Sequence, residues 1–296
     1  MKPPAKPHGL MCHYFHGGVH KPTQGSLSAD DFCRLLDAYG HRMLPAATWL
    51  DWWYHGHLID HAVVTIDDGL REALDVALPV LEERGLTAAW NVPTLPLVGV
   101  PLAQEVYRWV RNQFATMDAF YDAVAAAAGP SAVGFTFDPE KSAGYLADYG
   151  YLTIRDRGFR YWRDGSMFGE YERAMARVML AHGLTSPIDT SHWLSASDLR
   201  ALRAAGHVIG FHTHSHPTSL TRLSREQQAN EYATSKWILE TILGEKVTTM
   251  SHPNGNVTAY GLDWLRDHGI TFAWNATMKG TLPHQAPRWS SGNWTR

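Results

Sequence analysis

The stretch Ala62-Val-Val-Thr-Ile66, followed at once by Asp67-Asp68-Gly69, decides how this sequence folds. Its β-branched residues predict a buried strand, and the two carboxylates and the glycine predict where that strand ends. Four more short apolar runs recur along the chain, at 87–92, 207–211, 247–250 and 270–274. Helical patterns lie between them. Strands that alternate with helices favour an α/β fold with a parallel sheet, which can close into a barrel.

Five helices are predicted between these strands. A serine followed three residues later by an acidic or amide side chain marks the start of three of them, and a glycine ends every one. The helices run between residues 28 and 40, 74 and 85, 195 and 206, 224 and 244, and from about 262 to 269. Pro79 predicts a bend in the second helix, because proline cannot donate the helical hydrogen bond.

The middle of the chain, at about 100–190, has a different composition. It is rich in Tyr, Trp, Arg and Asp and has weak strand signals, while 105–112 and 171–180 have helical patterns. We interpret this segment as a helical insertion. The sequence therefore predicts a single domain over 1–296 that carries a helical insertion at about 100–190.

Composition excludes several classes of protein. The 296 residues carry 26 Lys+Arg against 29 Asp+Glu without a basic run, which disfavours nucleic-acid binding. No stretch of 18 apolar residues exists, so we expect no transmembrane segment, and Met1–His8 has no apolar signal-peptide core. Two cysteines in such a chain predict reduced thiols and a cytoplasmic location. The chain has 17 His, an unusually high number. Histidine is the commonest metal ligand and acid–base residue near neutral pH.

Asp67 and Asp68 directly follow the predicted strand. Ligands of parallel α/β sheets bind beyond the carboxyl ends of the strands. Adjacent carboxylates at such an end point in different directions, so one can bind a metal ion while the other accepts a proton. The alternative is that they only cap the N-terminus of the next helix.

The segment His212-Thr-His214-Ser-His216-Pro217 follows another predicted strand. His212 and His216 are four residues apart, and a turn between them would bring both to one ion. With one carboxylate they would form a two-His, one-Asp site with open positions for water and substrate. His214 is expected to point away from that ion. The alternative is a surface loop that happens to be rich in His.

The segment Met250-Ser-His-Pro-Asn-Gly-Asn256 ends a third strand. Pro253 and Gly255 predict a tight turn with exposed backbone N–H groups, which can stabilise a developing oxyanion. An ordinary loop is the alternative for this segment.

Together the three strand-end segments resemble the polysaccharide deacetylases of the NodB-homology type, carbohydrate esterase family 4. Residues 65–69 resemble the first motif of that family, usually Thr-Phe-Asp-Asp-Gly, and 212–217 resemble its second, His-(Ser/Thr)-x-x-His-Pro. Residues 251–255 resemble a variant of its third motif, usually Arg-x-Pro-Tyr with a following Gly. The resemblance covers about 10–95 and 195–290.

The resemblance implies a distorted (β/α) barrel and a divalent metal ion, usually Zn²⁺. It implies that Asp68, His212 and His216 bind the metal and that Asp67 is the general base for a metal-activated water. The backbone N–H of Asn254 would help to hold the oxyanion.

Two parts of the family pattern differ in this sequence. Ser251 stands where the family has an Arg that orients the base, and Arg288 is the candidate to reach Asp67 in its place. The general acid is also open, because Leu282-Pro-His284 matches the usual C-terminal Leu-x-His in only three residues.

The opening segment offers another general acid. Leu10-Met-Cys-His13-Tyr-Phe-His16 is similar to the first strand of the poly-N-acetylglucosamine deacetylases, which supplies the acid His in that branch. We therefore predict His13 as the acid, with His284 and then His252 as alternatives.

The predicted function is a zinc-dependent hydrolase that removes an N-acetyl group from an amino sugar. A cytoplasmic location would favour a nucleotide-linked, lipid-linked or oligosaccharide substrate over finished cell-wall polymer. One alternative is a deacylase of another C–N bond, as in an N-formyl sugar or a cyclic imide. The other is a carbohydrate-binding homologue that has lost its activity.

Overall fold

The computed structural model describes residues 3–129, 139–147, 149–150, 152–165, 167, 169–278 and 285–291. The chain divides into two compact units, one formed by 1–100 with 190–296 and the other by 101–189. Among the described residues, both cysteines are free and no helix is long and apolar enough to cross a membrane.

The first unit contains a parallel sheet of eight described strands, in the order β7-β6-β5-β4-β3-β2-β1-β8. The strands are β1 (His8–Cys12), β2 (Ala62–Asp67), β3 (Ala89–Val92), β4 (Val208–Phe211), β5 (Thr249–Ser251), β6 (Phe272–Trp274), β7 (Gln285–Ala286) and β8 (Arg288–Ser290). The five strands predicted from apolar runs are β2 to β6, which confirms them.

The two edge strands of this sheet are neighbours in sequence. Only Pro287 separates β7 from β8, yet β7 pairs with β6 and β8 pairs with β1. The Gly9 N–H of β1 donates to the Pro287 carbonyl at 2.9 Å. The segment 285–290 thus bridges the first and the sixth strand, and the sheet forms a nearly closed, distorted (β/α) barrel as predicted.

Eleven α-helices lie in the described residues. They are α1 (Ala29–Tyr39), α2 (Ala46–His55), α3 (Leu78–Glu83), α4 (Ala103–Arg111), α5 (Met117–Ala128), α6 (Pro139–Ala143), α7 (Ile154–Asp164), α8 (Tyr171–Ala181), α9 (Ala196–Ala204), α10 (Arg225–Leu243) and α11 (Ala259–Asp267). A π-helical turn over Ala73–Ala77 directly precedes α3. Pro79, the residue that predicted a bend in this helix, is the second residue of α3. The sequence patterns did not predict α2, α6 or α7, whereas the alanine-rich stretch 123–128, which is typical of a helix end, forms the end of α5.

Alternate residues of the strands pack into two separate apolar clusters of the first unit. Val64 and Trp90 face a large cluster that includes residues of α1, α9 and α10. Their neighbours Val63 and Ala89 face the opposite side of the sheet, where they pack with Trp49 of α2. Successive side chains of a strand point to opposite faces of a sheet, so each strand contributes to both clusters. Both faces of this parallel sheet are therefore covered by apolar residues.

The second unit has an apolar cluster of its own. Val110, Phe120, Phe159 and Met175 are buried there, and all of them lie on α4 to α8. The helical patterns at 105–112 and 171–180 correspond to α4 and α8. The described part of 101–189 contains helices and no strand.

Gly9 occupies a crowded position on β1. A Cβ at this residue would lie 2.9 Å from Thr65 Cγ2 and 3.0 Å from both Arg288 Cγ and Trp274 Cζ3. We expect Gly9→Ala to lower the free energy of unfolding by about 1–3 kcal/mol, because a side chain there overpacks the sheet. Urea denaturation measures this change.

The control is Gly144→Ala in the second unit, where a Cβ would meet no heavy atom within 4 Å. Its effect should stay below about 1 kcal/mol. Equal losses in both variants would show that crowding at Gly9 has no energetic consequence.

Candidate active site

Two strand ends bring a carboxylate and two imidazoles together. Asp68 follows β2, and its Oδ1 lies 3.6 Å from His212 Nε2 and 3.3 Å from His216 Nε2. One ligand atom from each of the three residues lies within 4.8 Å of the other two. The predicted metal-ligand residues are therefore neighbours in space.

His212 is oriented by a carbonyl of a third strand end. Its Nδ1 lies 2.8 Å from the Ser251 carbonyl, so Nδ1 carries the proton and Nε2 faces Asp68. Burial lowers the pKa of His212 to about 3. A neutral imidazole with one nitrogen engaged by a carbonyl is the form in which His binds metal ions in proteins.

The loops that carry these side chains contain backbone in the left-handed region. Five described non-glycine residues have a φ between 52° and 69°, and four of them are Asp68, Thr213, His216 and Asn254. This conformation is unfavourable for residues with a Cβ. Such strain persists only where surrounding contacts impose it, and it is concentrated at functional sites.

The three side chains are suited to a divalent cation. Two imidazoles and one carboxylate make up the donor set of many catalytic zinc sites and leave positions open for water and substrate. All three residues are largely buried. The cluster thus has both the chemistry and the enclosure that a tightly bound cation needs.

Asp67 lies next to this cluster and is paired with Arg288. Arg288 Nη1 contacts both carboxylate oxygens of Asp67, at 2.8 and 2.6 Å, and both side chains are 1% exposed. Arg288 Nη2 also donates to Ser251 Oγ at 2.7 Å, and this hydroxyl lies 3.2 Å from Asp67 Oδ2. Asn91 Nδ2 donates to Asp67 Oδ1 at 2.8 Å.

Opposing effects act on the Asp67 carboxyl. Burial by itself raises its pKa, but the charge of Arg288, the neighbouring His residues and the hydrogen bond from Asn91 hold the pKa well below its usual range. Asp67 is therefore ionised at neutral pH. An ionised carboxylate 3.8 Å from His212 Nε2 can accept a proton beside the cluster of Asp68, His212 and His216.

Comparison with known families agrees with this geometry. Residues 127–273 match the family model described as Polysaccharide deacetylase, and this range contains His212, His216 and Ser251. Over this range the chain is similar to the polysaccharide deacetylase family. No curated protein matches the sequence.

Solved structures share the fold of this chain at low identity. IcaB from Ammonifex degensii has a TM-score of 0.56 and 17% identity, with 97% of this chain and 91% of that chain covered. A de-N-acetylase from Aggregatibacter actinomycetemcomitans has a TM-score of 0.56 and 13% identity, over 95% and 93%. The Streptococcus pyogenes deacetylase PplD, solved in complex with acetate, has a TM-score of 0.53 and 14% identity, over 97% and 92%.

The candidates for a general acid have different positions in this fold. His13 Nε2 lies 3.8 Å from Asp67 Oδ2, and its side chain is 29% exposed. His252 is enclosed, lies 3.0 Å from Gln285 Nε2, and has its pKa lowered to about 3 by burial. His284 lies outside the described residues. Of the two described candidates, His13 is the one that both adjoins Asp67 and has access to solvent.

Asn254 lies in the predicted turn after β5. The turn is a single 3₁₀ turn over Pro253–Gly255, and Asn254 adopts a φ of 54° within it. The Asn254 side chain is exposed and donates to the Thr218 carbonyl at 3.3 Å. That the Asn254 backbone N–H stabilises the oxyanion stays a prediction.

Two residues that hold the site were missed by the sequence analysis. Asn91 contacts Asp67, and the available signal was a polar residue inside the apolar run Trp90-Asn91-Val92. Glu231 accepts hydrogen bonds from the loop between the two histidines, and nothing in its helical surroundings distinguished it from other acidic residues. Both contacts are long-range, so local patterns do not predict them.

The buried ion pair makes a prediction about stability. Removing the guanidinium in Arg288→Met leaves Asp67 as an uncompensated buried charge, so the free energy of unfolding should fall by about 3–5 kcal/mol. In the Asp67→Asn background the same substitution should lower the free energy of unfolding clearly less, because neither charge of the pair then remains. Urea denaturation of the four proteins of this double-mutant cycle measures the coupling, and strictly additive effects would contradict it.

Proposed function

We propose that this chain is a metal-dependent carbohydrate N-deacetylase that hydrolyses the acetamide of an amino sugar. The observation that carries the proposal is the position of an ionised, Arg-paired Asp67 beside the cluster of Asp68, His212 and His216. The match of residues 127–273 to the polysaccharide deacetylase family supports the reaction class. The fold relatives described as deacetylases, one of them bound to acetate, support it further.

Asp68, His212 and His216 would hold the cation, and Zn²⁺ suits this donor set best. A divalent cation at this position acidifies water and polarises a carbonyl oxygen. The contact between His212 Nδ1 and the Ser251 carbonyl keeps His212 Nε2 directed at the cluster. These residues together bind the reacting groups and set their geometry.

Asp67 serves as the general base in this proposal. Arg288 and Ser251 hold its carboxylate in place, and Asn91 donates to Oδ1. Arg288 thereby takes the orienting part that the family assigns to the Arg of its third motif, where this chain has Ser251. The base removes a proton from the attacking water as the carbonyl carbon becomes tetrahedral.

His13 serves as the general acid. Breaking the C–N bond leaves an amine that must gain a proton, and His13 lies next to Asp67 with a partly exposed imidazole. The Asn254 backbone N–H would donate to the oxyanion from the turn after β5. Acetate and the free amino sugar are the products.

We also propose that the first unit is the catalytic domain and that 101–189 is an insertion within it. Every residue with a proposed role lies in 1–100 or 190–296. The same machinery would accept an N-formyl sugar or a cyclic imide, so the acyl group has to be decided by experiment.

Metal binding and acetate release test the proposal. Purified protein loaded with Zn²⁺ should release acetate from N-acetylated sugars, while His212→Ala and His216→Ala should lose stoichiometric zinc. Asp67→Asn should keep zinc and lose about 10²–10⁴-fold in kcat, because it removes the base alone. Zinc content by elemental analysis and acetate by a coupled assay provide the measurements.

The substrate panel includes N-acetylglucosamine oligomers, N-formyl sugars and a cyclic imide. Turnover of the imide alone would replace deacetylation with the alternative hydrolysis. Tight binding of a sugar without turnover at full zinc occupancy would identify a carbohydrate-binding homologue.

His13 makes a separate prediction. His13→Ala should retain zinc and lower kcat by about 10²–10⁴-fold, because the leaving amine loses its proton donor. His41→Ala is the matched control, since His41 is an exposed histidine of the turn after α1. Unchanged kcat in His13→Ala would transfer the acid role to another residue.

A further inference from the structure

The loop between His212 and His216 is fastened to α10 by one carboxylate. Glu231 Oε2 accepts from the backbone N–H of His214 at 2.9 Å and from that of Ser215 at 2.8 Å. The other oxygen, Oε1, accepts from Ser215 Oγ at 2.6 Å. A single side chain thus makes three hydrogen bonds to two consecutive loop residues.

A second residue of α10 binds the same loop. Ser235 Oγ donates to the Thr213 carbonyl at 2.9 Å. Glu231 and Ser235 are four residues apart, so they lie on one face of the helix. Every residue between the two histidines therefore has a hydrogen bond to this face of α10.

The chain that follows β3 holds the loop from elsewhere. The Leu95 N–H donates to the His214 carbonyl at 2.9 Å, and Thr94 Oγ1 lies 2.9 Å from His214 Nδ1. His214 is consequently a structural residue of the loop and takes no part in the cluster of ligand atoms.

The loop needs such fastening because its backbone is strained. Thr213 and His216 have φ values of 62° and 52°, in the region that residues with a Cβ disfavour. This conformation turns His216 back toward Asp68 after only three intervening residues. Such backbone persists only where surrounding contacts hold it, and here it places His216 Nε2 3.3 Å from Asp68 Oδ1.

We propose that Glu231 is a positioning residue of the metal centre, which acts by holding the 213–215 loop so that His216 faces Asp68. The inference rests on the proposed function, since it assumes that these residues bind a cation. A carboxylate suits the task because its two oxygens accept all three hydrogen bonds. Glutamine has a single acceptor oxygen and can replace only part of them.

Zinc affinity measures this role without any turnover. Metal-free full-length protein competes for Zn²⁺ with a chromophoric chelator, in the wild type and in Glu231→Ala and Glu231→Gln. We expect Glu231→Ala to weaken binding about 10–100-fold, the usual effect of removing a residue that orients a metal ligand. Glu231→Gln should lose less, because its amide oxygen still accepts from the two backbone N–H groups.

The matched control is Glu226→Ala on the same helix. Glu226 is exposed in the first turn of α10, so this variant removes the same charge and leaves the contacts to the 213–215 loop in place. Its zinc affinity should equal that of the wild type. The visible absorption of the Co²⁺-loaded protein reports ligand geometry, and it should change in Glu231→Ala and stay the same in Glu226→Ala.

The outcomes separate the two proposals. If the wild type fails to bind stoichiometric zinc, the proposed metal centre is wrong. If the wild type binds zinc, His216→Ala does not, and Glu231→Ala keeps wild-type affinity and cobalt spectrum, the positioning role is overturned and the proposed function stands. Should Glu231→Ala fail to fold by circular dichroism, Glu231→Gln and Ser235→Ala decide, and wild-type affinity in both would overturn the inference.

Discussion

The ion pair between Asp67 and Arg288 is the interaction on which the candidate site depends. Burying two charges is costly unless their geometry and additional hydrogen bonds compensate for lost water. Here Arg288 contacts both Asp67 oxygens, Ser251 bridges the pair, and Asn91 donates to Asp67. Arg288 lies on β8, in the segment that joins β6 to β1. The segment that closes the barrel therefore also carries the side chain that orients the Asp67 carboxylate. Gly9 leaves room for the stem of Arg288.

Strained loops supported by rigid elements build the rest of the site. Asp68, Thr213 and His216 adopt left-handed backbone in the segments that follow β2 and β4. The carbonyl of Ser251 orients His212, and α10 fastens the loop that leads to His216. Side chains held in this way are already in position before any group binds. Such preorganisation suits a tightly bound cation and a fixed proton acceptor.

Local patterns predicted much of the fold. Apolar runs and capping residues identified β2 to β6 and five helices of the first unit, because burial and capping act over a few neighbouring residues. The strands β7 and β8 are two and three residues long and carry too little pattern to be recognised. Helix α2 was missed because its many aromatic residues obscure a helical stripe, although Trp49 packs against the sheet.

The sequence by itself determined the candidate ligands and base, since Asp67, Asp68, His212 and His216 stand in short motifs directly after recognisable strands. It also suggested Arg288 as the partner of Asp67 from the missing Arg of the third motif. Only the tertiary structure decided that this contact forms, across 221 residues, and that Asn91 and Glu231 support the site. The reason is physical: spacing along a strand end sets which side chains can be close, whereas barrel closure and helix packing set which distant groups meet them.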